Sequence, residues 1–449
     1  MKKYFFKTAT ALVLVFFLSV SFFACQRNLT KEEKQKVKAL NNIVTPLNGL
    51  SPLDEYPDID VFNRFGDASV IGLGEATHGT KEFFELKHRL IKYFVENHGF
   101  RILGFEADMG ETIYINRFIT KGIGTIDEVM KKMHFWTWRT EEVKNLILWM
   151  KEYNKDKDAT QRIHFIGTDC QFVTYNKQLI EEYLKTYDKS YPGYISRILA
   201  EVTEIDKNKE IPENISLDEV KIKCDSLKDY FKLNKQRLIN GSGRFEYELI
   251  ARLAEQTRQV INVNFDDYSR DYYMAENALW LTSLLEENYG VVLWAHNGHI
   301  AKNSDYLTRG SQGYFLSKKL RTNYKAIGFS FNHGSFQAVN YDFENNVASQ
   351  LTNFTIQSMP LRSSYNYIYR WVKPGNFILI HADIPENSSL YQWYNRKKPF
   401  LLIGALYSSK QRDQFYYEHN NMDSFDAIIH IRETNNAKKC SFKKKHIKG

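Results

Sequence analysis

Residues 69–80 read SVIGLGEATHGT, a short aliphatic run that ends in a glycine-rich turn carrying an acid and a histidine. A run of this kind, followed by a helical segment, is typical of a parallel strand in an α/β protein. Three more runs have the same form, at 100–105, 162–167 and 290–295. The repeated pattern predicts a three-layer α/β fold with a mostly parallel sheet.

Each of these four predicted strands runs into an ionisable side chain. The residues at the strand ends are, in chain order, Glu75, His78, Glu106, Asp169 and His296. Because ligands bind beyond the carboxyl ends of the strands in an open parallel sheet, we expect these residues to converge. A lone acid at such a position is often a helix cap or a turn former, and for Asp169 that interpretation stays open.

A lysine interrupts the apolar stripe of the helix that follows the first strand. The helix is predicted from about Lys81 to Asn97, and Lys87 falls in the middle of its apolar face. A buried lysine is costly unless it is paired, and its nearest candidate partners are Glu75 and Glu106. The alternative is that the side chain snorkels to the edge of the stripe.

Two histidines, His296 and His299, lie three residues apart at the turn after the fourth predicted strand. Their expected position across the sheet from Glu75 and His78 indicates acid–base chemistry, because imidazole changes charge near neutral pH. A capping or packing role remains the alternative for His299.

Taken together, these motifs resemble the erythromycin esterase family. The matching stretches are GEATHGT at 74–80, GFE at 104–106, RDxxMAxN at 270–277 and WAHNGH at 294–299. The resemblance runs from about Asp54 to Ile431, and it implies hydrolysis of the lactone ester that closes 14-membered macrolides. One position departs from the family's esterases, which carry arginine where this chain has Lys87. Lysine keeps the charge but loses the two-pronged hydrogen bonding of a guanidinium.

The resemblance also implies a role for each residue that matches. It makes His78 the general base and Glu75 its acidic companion, with no serine nucleophile. Glu106 becomes the second glutamate of the site, and His296 and His299 become the supporting histidines. These assignments stand as what the resemblance implies.

The residues themselves favour water as the nucleophile. The chain lacks a Gly-x-Ser-x-Gly motif, and Cys170 has no evident histidine partner, which predicts a packed thiol. We therefore expect His78 to take a proton from water, and His296 or Lys87 to stabilise the oxyanion. The residues expected to bind substrate are Lys87, His299 and Asp169.

A catalytic metal is the chief alternative, because histidine and carboxylate are the side chains that bind zinc. No His-Glu-x-x-His or other standard zinc spacing occurs, and the resemblance implies metal-free catalysis. We therefore expect no metal and no cofactor. Two other functions stay open: the same site acting on another envelope ester or acylated glycan, and a lipoprotein that binds small molecules without turnover. The departure at Lys87 favours the second of these.

The ends of the chain predict export and a lipid anchor. Residues 1–24 carry lysines, an uncharged apolar run and a small residue before Cys25, which is typical of a lipoprotein signal peptide. Lipidated Cys25 and a tether, residues 25–50, would hold a catalytic domain, residues 51–432, against a membrane of the cell envelope. The basic tail, residues 433–449, is expected to be solvated, and no stacking motif indicates nucleic acid.

Long charged helices dominate the middle of the chain. They predict an all-helical insertion at residues 175–265, acting either as a scaffold or as a lid over a bulky ligand. Further strands are predicted to complete the sheet at 324–329, 377–381, 400–404 and 426–431. At most one disulfide can form among the three remaining cysteines, which are Cys170, Cys224 and Cys440.

Overall fold

A computed structural model describes residues 29–285, 289–303, 307 and 309–442 of the 449-residue chain. The predicted signal peptide, the lipidation site Cys25 and the last lysines of the basic tail lie outside the described residues. In the part of the chain that the structure describes, no helix combines the length and apolarity needed to cross a membrane.

Ten of the described strands form one mixed sheet at the centre of the molecule, as the sequence predicts. Along the sheet, the strands are β1 (Thr45–Pro46), β8 (Phe377–Ile380), β12 (Ala427–Thr434), β6 (Tyr324–Asp342), β2 (Val70–Leu73), β5 (Val291–Trp294), β3 (Ile102–Asp108) and β4 (His164–Asp169), with β7 (Val347–Ile356) and β10 (Leu406–Tyr407) paired to β6. The six strands from β12 to β4 are parallel. β1, β7 and β8 are antiparallel to their neighbours.

Helices cover both faces of this sheet. They are α1 (Lys31–Asn41), α2 (Lys81–His98), α3 (Met109–Lys121), α4 (Ile126–Lys132), α5 (Glu141–Asn154), α6 (Asn176–Tyr187), α7 (Gly193–Asn208), α8 (Leu217–Leu233), α9 (Lys235–Ser242), α10 (Arg244–Phe265), α11 (Arg270–Leu281), α12 (Asn297–Ile300), α13 (Gln312–Leu320), α14 (Tyr365–Tyr369), α15 (Ser389–Tyr394) and α16 (Asn421–Ser424). Short 3₁₀ turns lie at Asp60–Phe65, Trp136–Trp138, Ala159–Gln161, Arg321–Asn323, His381–Asp383 and Ser409–Phe415. Neighbouring strand residues alternate between two cores, with Val70 in one and Ile71 in the other, so the fold has three layers.

The region predicted as a helical insertion consists of α6 to α10. The longest of these helices, α10, buries Ile250, Leu253 and Val260 in the core on one face of the sheet. Its Gln256 side chain also donates a hydrogen bond to the carbonyl oxygen of Asp169, the last residue of β4. These contacts make α10 part of the scaffold that supports the sheet.

The predicted strand at 400–404 is wrong as a member of the main sheet. The strand β9 (Lys398–Leu401) pairs only with β11 (Tyr416–His419) in a separate two-stranded ribbon. Pro399 lacks a backbone N–H, which suits a short edge ribbon better than the middle of a sheet. The predicted strand at 324–329 is correct but too short, because β6 continues to Asp342 and forms a hairpin with β7.

The predicted tether is ordered wherever the structure describes it. Thr30 and Glu33 form a reciprocal cap that starts α1. Glu33 also accepts hydrogen bonds of 2.9 and 2.8 Å from Arg362, and β1 extends the edge of the sheet. Residues 29–50 therefore belong to the folded body, which corrects the expected tether over this range.

The basic tail is also packed against the body as far as it is described. The backbone N–H of Ala437 donates to the carbonyl of Gly79 at 2.9 Å, and Cys440 is buried. All three described cysteines are free, so no disulfide forms among them. The predicted boundary at residue 432 therefore falls inside the folded domain.

Candidate active site

The sheet brings the predicted residues together because β2, β5 and β3 are direct neighbours. The β2–α2 loop carries Glu75 and His78, the end of β3 carries Glu106, and the turn into α12 carries His296. The imidazole centroids of His78 and His296 lie 5.0 Å apart, although 218 positions separate them in the sequence numbering. The predicted convergence of these strand ends is therefore observed.

A line of three side chains fixes the orientation of His78. Its Nδ1 lies 2.6 Å from Oε1 of Glu75, and Oε2 of Glu75 accepts a hydrogen bond of 2.6 Å from Nζ of Lys87. The carboxylate therefore holds Nδ1 and leaves Nε2 as the nitrogen that can meet a water molecule. His78 is 9% exposed and its imidazole packs edge-on against Trp138, with 5.5 Å between centroids.

Lys87 is completely buried, as its position in the apolar stripe of α2 requires. Its ammonium contacts Glu75 and lies 4.1 Å from the ring centroid of Trp294, so a carboxylate and an aromatic face compensate the buried charge. Burial lowers the pKa of Lys87 to about 8, against the opposing charges of Glu75 and Glu106. The amine is therefore close to losing its proton near neutral pH.

The next helical positions, His88 and Arg89, are buried as well. Arg89 forms an ion pair with Asp58 in the segment before β2. This burial reflects a helix enclosed by neighbouring segments on more than one face. The sequence pattern of α2 alone does not reveal those neighbours.

Glu106 is surrounded by positive charge. Its Oε1 lies 3.3 Å from both Nε2 of His299 and Nη2 of Arg270, and its Oε2 accepts the backbone N–H of His296 at 2.8 Å. Burial acts to raise the pKa of Glu106, but the charges of His299, His78 and Arg270 hold that pKa well below its ordinary value. Glu106 is therefore an anchored carboxylate at neutral pH.

The two histidines of the α12 turn differ in charge. Burial, with the charges of His78 and His299 nearby, holds the pKa of His296 well below its usual range, so His296 is neutral. Burial would also lower the pKa of His299, but Asp271, 2.7 Å from its Nδ1, and Glu106 outweigh burial and raise that pKa to about 10. His299 is therefore a cation, although the charge of Arg270 opposes it.

Arg270 connects the end of β4 to the charged side chains around Glu106. Its Nε and Nη2 donate two parallel hydrogen bonds of 2.7 Å to the carboxylate of Asp169. Such a bidentate pair fixes both partners in position. Since Arg270 also contacts Glu106, Asp169 acts on the site through the guanidinium.

Tight packing holds the loop that carries His78. A Cβ atom placed on Gly79 would lie 2.2 Å from the backbone oxygen of Gln337, so only glycine fits there. The carbonyl of Gly79 accepts hydrogen bonds from the backbone N–H groups of Gln337 and Ala437. The carbonyl of Ala76 accepts one from the backbone N–H of Ile403. These backbone contacts give the loop little freedom to move.

The structure differs from the sequence-based prediction for two residues that were expected to bind substrate. Lys87 and Asp169 have no exposed surface, so each acts by positioning another side chain. His299, with 13% of its side chain exposed, remains able to face a ligand. The expected stabilisation of an oxyanion by Lys87 is excluded for the same reason, because its ammonium lies behind Glu75.

Three residues of the site were missed from the sequence. Arg270 and Asp271 lie at the start of α11, and Trp138 lies in a 3₁₀ turn, so none of them follows a predicted parallel strand. The RDxxMAxN stretch that carries Arg270 and Asp271 was the sequence feature that could have identified them. No comparable pattern marks Trp138.

The residue types of the site could bind a metal, but their arrangement does not provide a chelating set. Within residues 29–285, 289–303, 307 and 309–442, no three histidine, cysteine, aspartate or glutamate side chains are grouped so as to hold a metal ion. Glu75 and Glu106 point their oxygens at lysine, histidine, arginine and backbone N–H donors instead. The donor set does not fit a resident metal.

Comparison with known proteins agrees with this architecture. Residues 95–434 match the family model described as erythromycin esterase. The chain belongs to the erythromycin esterase family.

This family member is 26% identical over 369 residues to erythromycin esterase type II of Escherichia coli, covering 75% of this chain and 86% of that protein. It is also 24% identical over 354 residues to the putative hydrolase YbfO of Bacillus subtilis strain 168, covering 70% and 76%. Family membership supports a hydrolase that acts on esters.

Solved structures share this fold. A crystal structure described as a succinoglycan biosynthesis protein superimposes with a TM-score of 0.79 at 24% identity, covering 92% of this chain and all of that one. A mutant of the erythromycin esterase EreC in its open conformation superimposes with a TM-score of 0.63 at 16% identity, covering 87% and 97%. At these identities the likeness concerns the fold.

Proposed function

We propose that this protein is a metal-independent hydrolase that cleaves a carboxylic ester with a water molecule activated by His78. The observation that carries the proposal is the line His78–Glu75–Lys87, with 2.6 Å between each pair of contacting atoms. A carboxylate on Nδ1 fixes the imidazole tautomer and stabilises the imidazolium that forms when Nε2 takes a proton.

The reaction proceeds in two steps. First, Nε2 of His78 removes a proton from water while the water oxygen bonds to the ester carbonyl carbon, which becomes a tetrahedral oxyanion. The oxyanion then collapses, the bond to the alcohol oxygen breaks, and the imidazolium of His78 returns the proton to that oxygen. One water is consumed, and a carboxylic acid and an alcohol are released.

The surrounding residues act on the developing negative charge. The neutral imidazole of His296 lies beside that of His78. The cationic imidazole of His299 contacts the carboxylate of Glu106, which also accepts the backbone N–H of His296. Both ring nitrogens of His299 contact carboxylates, those of Asp271 and Glu106, so His299 acts on the oxyanion through the field of its positive charge, which needs no rearrangement during the reaction. Arg270, held by Asp169, positions Glu106.

The test of the proposal is the His78→Ala variant. It should fold like the wild type, because Glu75 keeps its ion pair with Lys87, but lose about two to four orders of magnitude in kcat, as expected for loss of a general base. The matched control is His333→Ala, which removes a part-exposed histidine on β6 that contacts Glu433. Near-wild-type turnover by the His78 variant would remove the assigned base.

The first substrate to test is a 14-membered macrolide lactone, since the chain belongs to the family named for that reaction. Erythromycin incubated with the purified protein should gain the mass of one water, as followed by mass spectrometry. Unchanged drug would leave the assignment of the site standing and indicate that the substrate is another ester of the cell envelope.

Activity that survives EDTA treatment, with no metal found by elemental analysis, supports the metal-free mechanism.

We also propose that Cys25 is lipidated and that the protein is held at a membrane of the cell envelope. The support is the sequence of residues 1–25 alone. Labelled palmitate fed to expressing cells should enter the wild-type protein and not the Cys25→Ser variant. Equal labelling of both proteins would contradict the anchor.

A further inference from the structure

A second cavity lies outside the site that contains His78. It is an open cleft of about 910 Å³ between α3 and α4 on one side and α6 of the helical insertion on the other. Four tyrosines line it, Tyr114, Tyr175, Tyr183 and Tyr187. Tyrosine offers a flat apolar face together with a hydroxyl group, a combination that suits a ligand built of hydroxylated rings.

One end of the cleft holds an uncompensated cation. The ammonium of Lys132 lies 4.0 Å from the ring centroid of Tyr114 and 4.8 Å from that of Tyr175. Among the described residues, no carboxylate forms an ion pair with it. The two rings hold the lysine against the cleft wall and leave its N–H donors available to an anion.

The other end of the cleft is charged but internally compensated. Glu246 accepts hydrogen bonds of 3.0 Å from Arg117 and 2.7 Å from Lys121. Such a network offers hydrogen bonds to neutral hydroxyl groups without attracting a second ion. The ligand that fits this cleft therefore has many hydroxyl groups and an anionic group at the Lys132 end.

A short stretch of chain connects this end to the proposed active site. Lys132 is the last residue of α4, and six positions later Trp138 packs against the imidazole of His78. Between them, His134 stacks on Phe172 at 4.1 Å, close to the end of β4. The chain from 133 to 138 therefore runs from the Lys132 end of the cleft to the ring that packs against His78.

We propose that this cleft is a binding site for an acidic oligosaccharide, with the exposed ring of Tyr187 packing against a sugar ring and Lys132 binding a carboxylate. This site is distinct from the hydrolytic pocket and selects ligands by charge. That the bound glycan also carries the ester that is cleaved rests on the proposed function. The binding itself does not depend on it.

The test uses isothermal titration calorimetry on the full chain with trigalacturonic acid, an anionic trisaccharide without an ester, and maltotriose as the neutral comparison. Trigalacturonic acid should bind the wild type more tightly than maltotriose, and added salt should weaken it. Lys132→Gln should weaken binding of the anionic sugar by about tenfold, the scale of a hydrogen bond to a charged group.

The matched control is Lys151→Gln. Lys151 also lies 4.0 Å from an aromatic ring centroid, that of Phe118, but it does not line the cleft. This variant should bind like the wild type. Absence of heat with trigalacturonic acid, equal binding of the two sugars, or equal losses in the two lysine variants would overturn the proposal. Because the probe contains no ester, those outcomes are independent of whether His78→Ala abolishes hydrolysis.

Discussion

Lys87 shows how strongly one buried charge constrains this site. Its ammonium has no exposed surface and depends on Glu75 for compensation, while Glu75 in turn holds His78. An arginine at this position would present two parallel N–H donors to one carboxylate and stay charged at any accessible pH. The lysine makes the same arrangement sensitive to moderate alkalinity.

The pH profile of ester hydrolysis should reveal this sensitivity. The pKa of Lys87 is lowered to about 8, so the side chain loses its charge as the pH rises through that value and no longer holds the Glu75 carboxylate. We expect kcat/KM of the wild type to fall above pH 8, and the Lys87→Arg variant to keep its activity to higher pH. Identical alkaline limbs in rate measurements on the two proteins would contradict this role.

At the same scale, the sequence predicted the members of the site better than their roles. It placed Glu75, His78, Glu106 and His296 together because parallel strands end at one edge of a sheet. It limited the ion-pair partner of Lys87 to Glu75 or Glu106. Which of the two forms the pair depends on how the side chains pack. Burial depends on every neighbouring segment, so the enclosed position of Asp169 behind Arg270 could not be predicted.

Among the elements of the fold, the β2–α2 loop is the most tightly held part of the site. β6 and the C-terminal segment reach it through backbone hydrogen bonds to Gly79, and Ile403 reaches it through Ala76. The position of this loop therefore depends on how segments far away in the sequence pack against it.

A Gly79→Ala substitution should displace this loop. The added methyl would lie 2.2 Å from a backbone oxygen, which no rotamer change can relieve. We expect at least about a tenfold loss of kcat, since misplacement by about 1 Å can cost about a hundredfold, along with a lower melting temperature. Gly193→Ala is the control, because its new Cβ would meet only the flexible Arg197 side chain at 3.7 Å. Equal rates for both variants would show that the loop tolerates displacement.

The elements that the sequence predicted poorly are those whose extent depends on tertiary partners. The sequence predicts β6 as a strand from residue 324, but its continuation to Asp342 is stabilised by pairing with β7, a strand that was not predicted. The strand predicted at 400–404 overlaps β9, which begins with Lys398 and Pro399 and pairs in an edge ribbon. Strand preference is strongly context-dependent, which explains both differences.

For the molecule as a whole, the ion pairs around Glu106 couple stability to pH. The pKa of His299 is about 10 in the folded state, above its ordinary value of 6.5. Its contribution to the free energy of unfolding is therefore complete below pH 6.5 and is lost as the pH rises towards 10. Lys87 acts in the opposite direction above pH 8, where its folded pKa lies below that of the unfolded chain.

The contribution of His299 to the free energy of unfolding should therefore fall between pH 6.5 and 8, before Lys87 begins to compensate. We expect this decline to be at most about 2 kcal/mol, and to be smaller in Asp271→Asn, which removes the carboxylate on Nδ1 of His299. Urea unfolding at the two pH values measures it. Asp383→Asn, which breaks an exposed pair with Arg64, should leave the decline unchanged. An Asp271 variant with the full wild-type decline would contradict the coupling.

The packing of the chain's final described residues has a consequence for biosynthesis. Thr80 forms an isolated β-bridge with Asn436, and Thr140 forms one with Lys439. Segments from the first and last parts of the domain therefore pair with each other. A ribosome must finish nearly the whole polypeptide before the histidine loop can settle into place. The loop that carries His78 therefore reaches its final packing only once the segment around Asn436 has docked onto it.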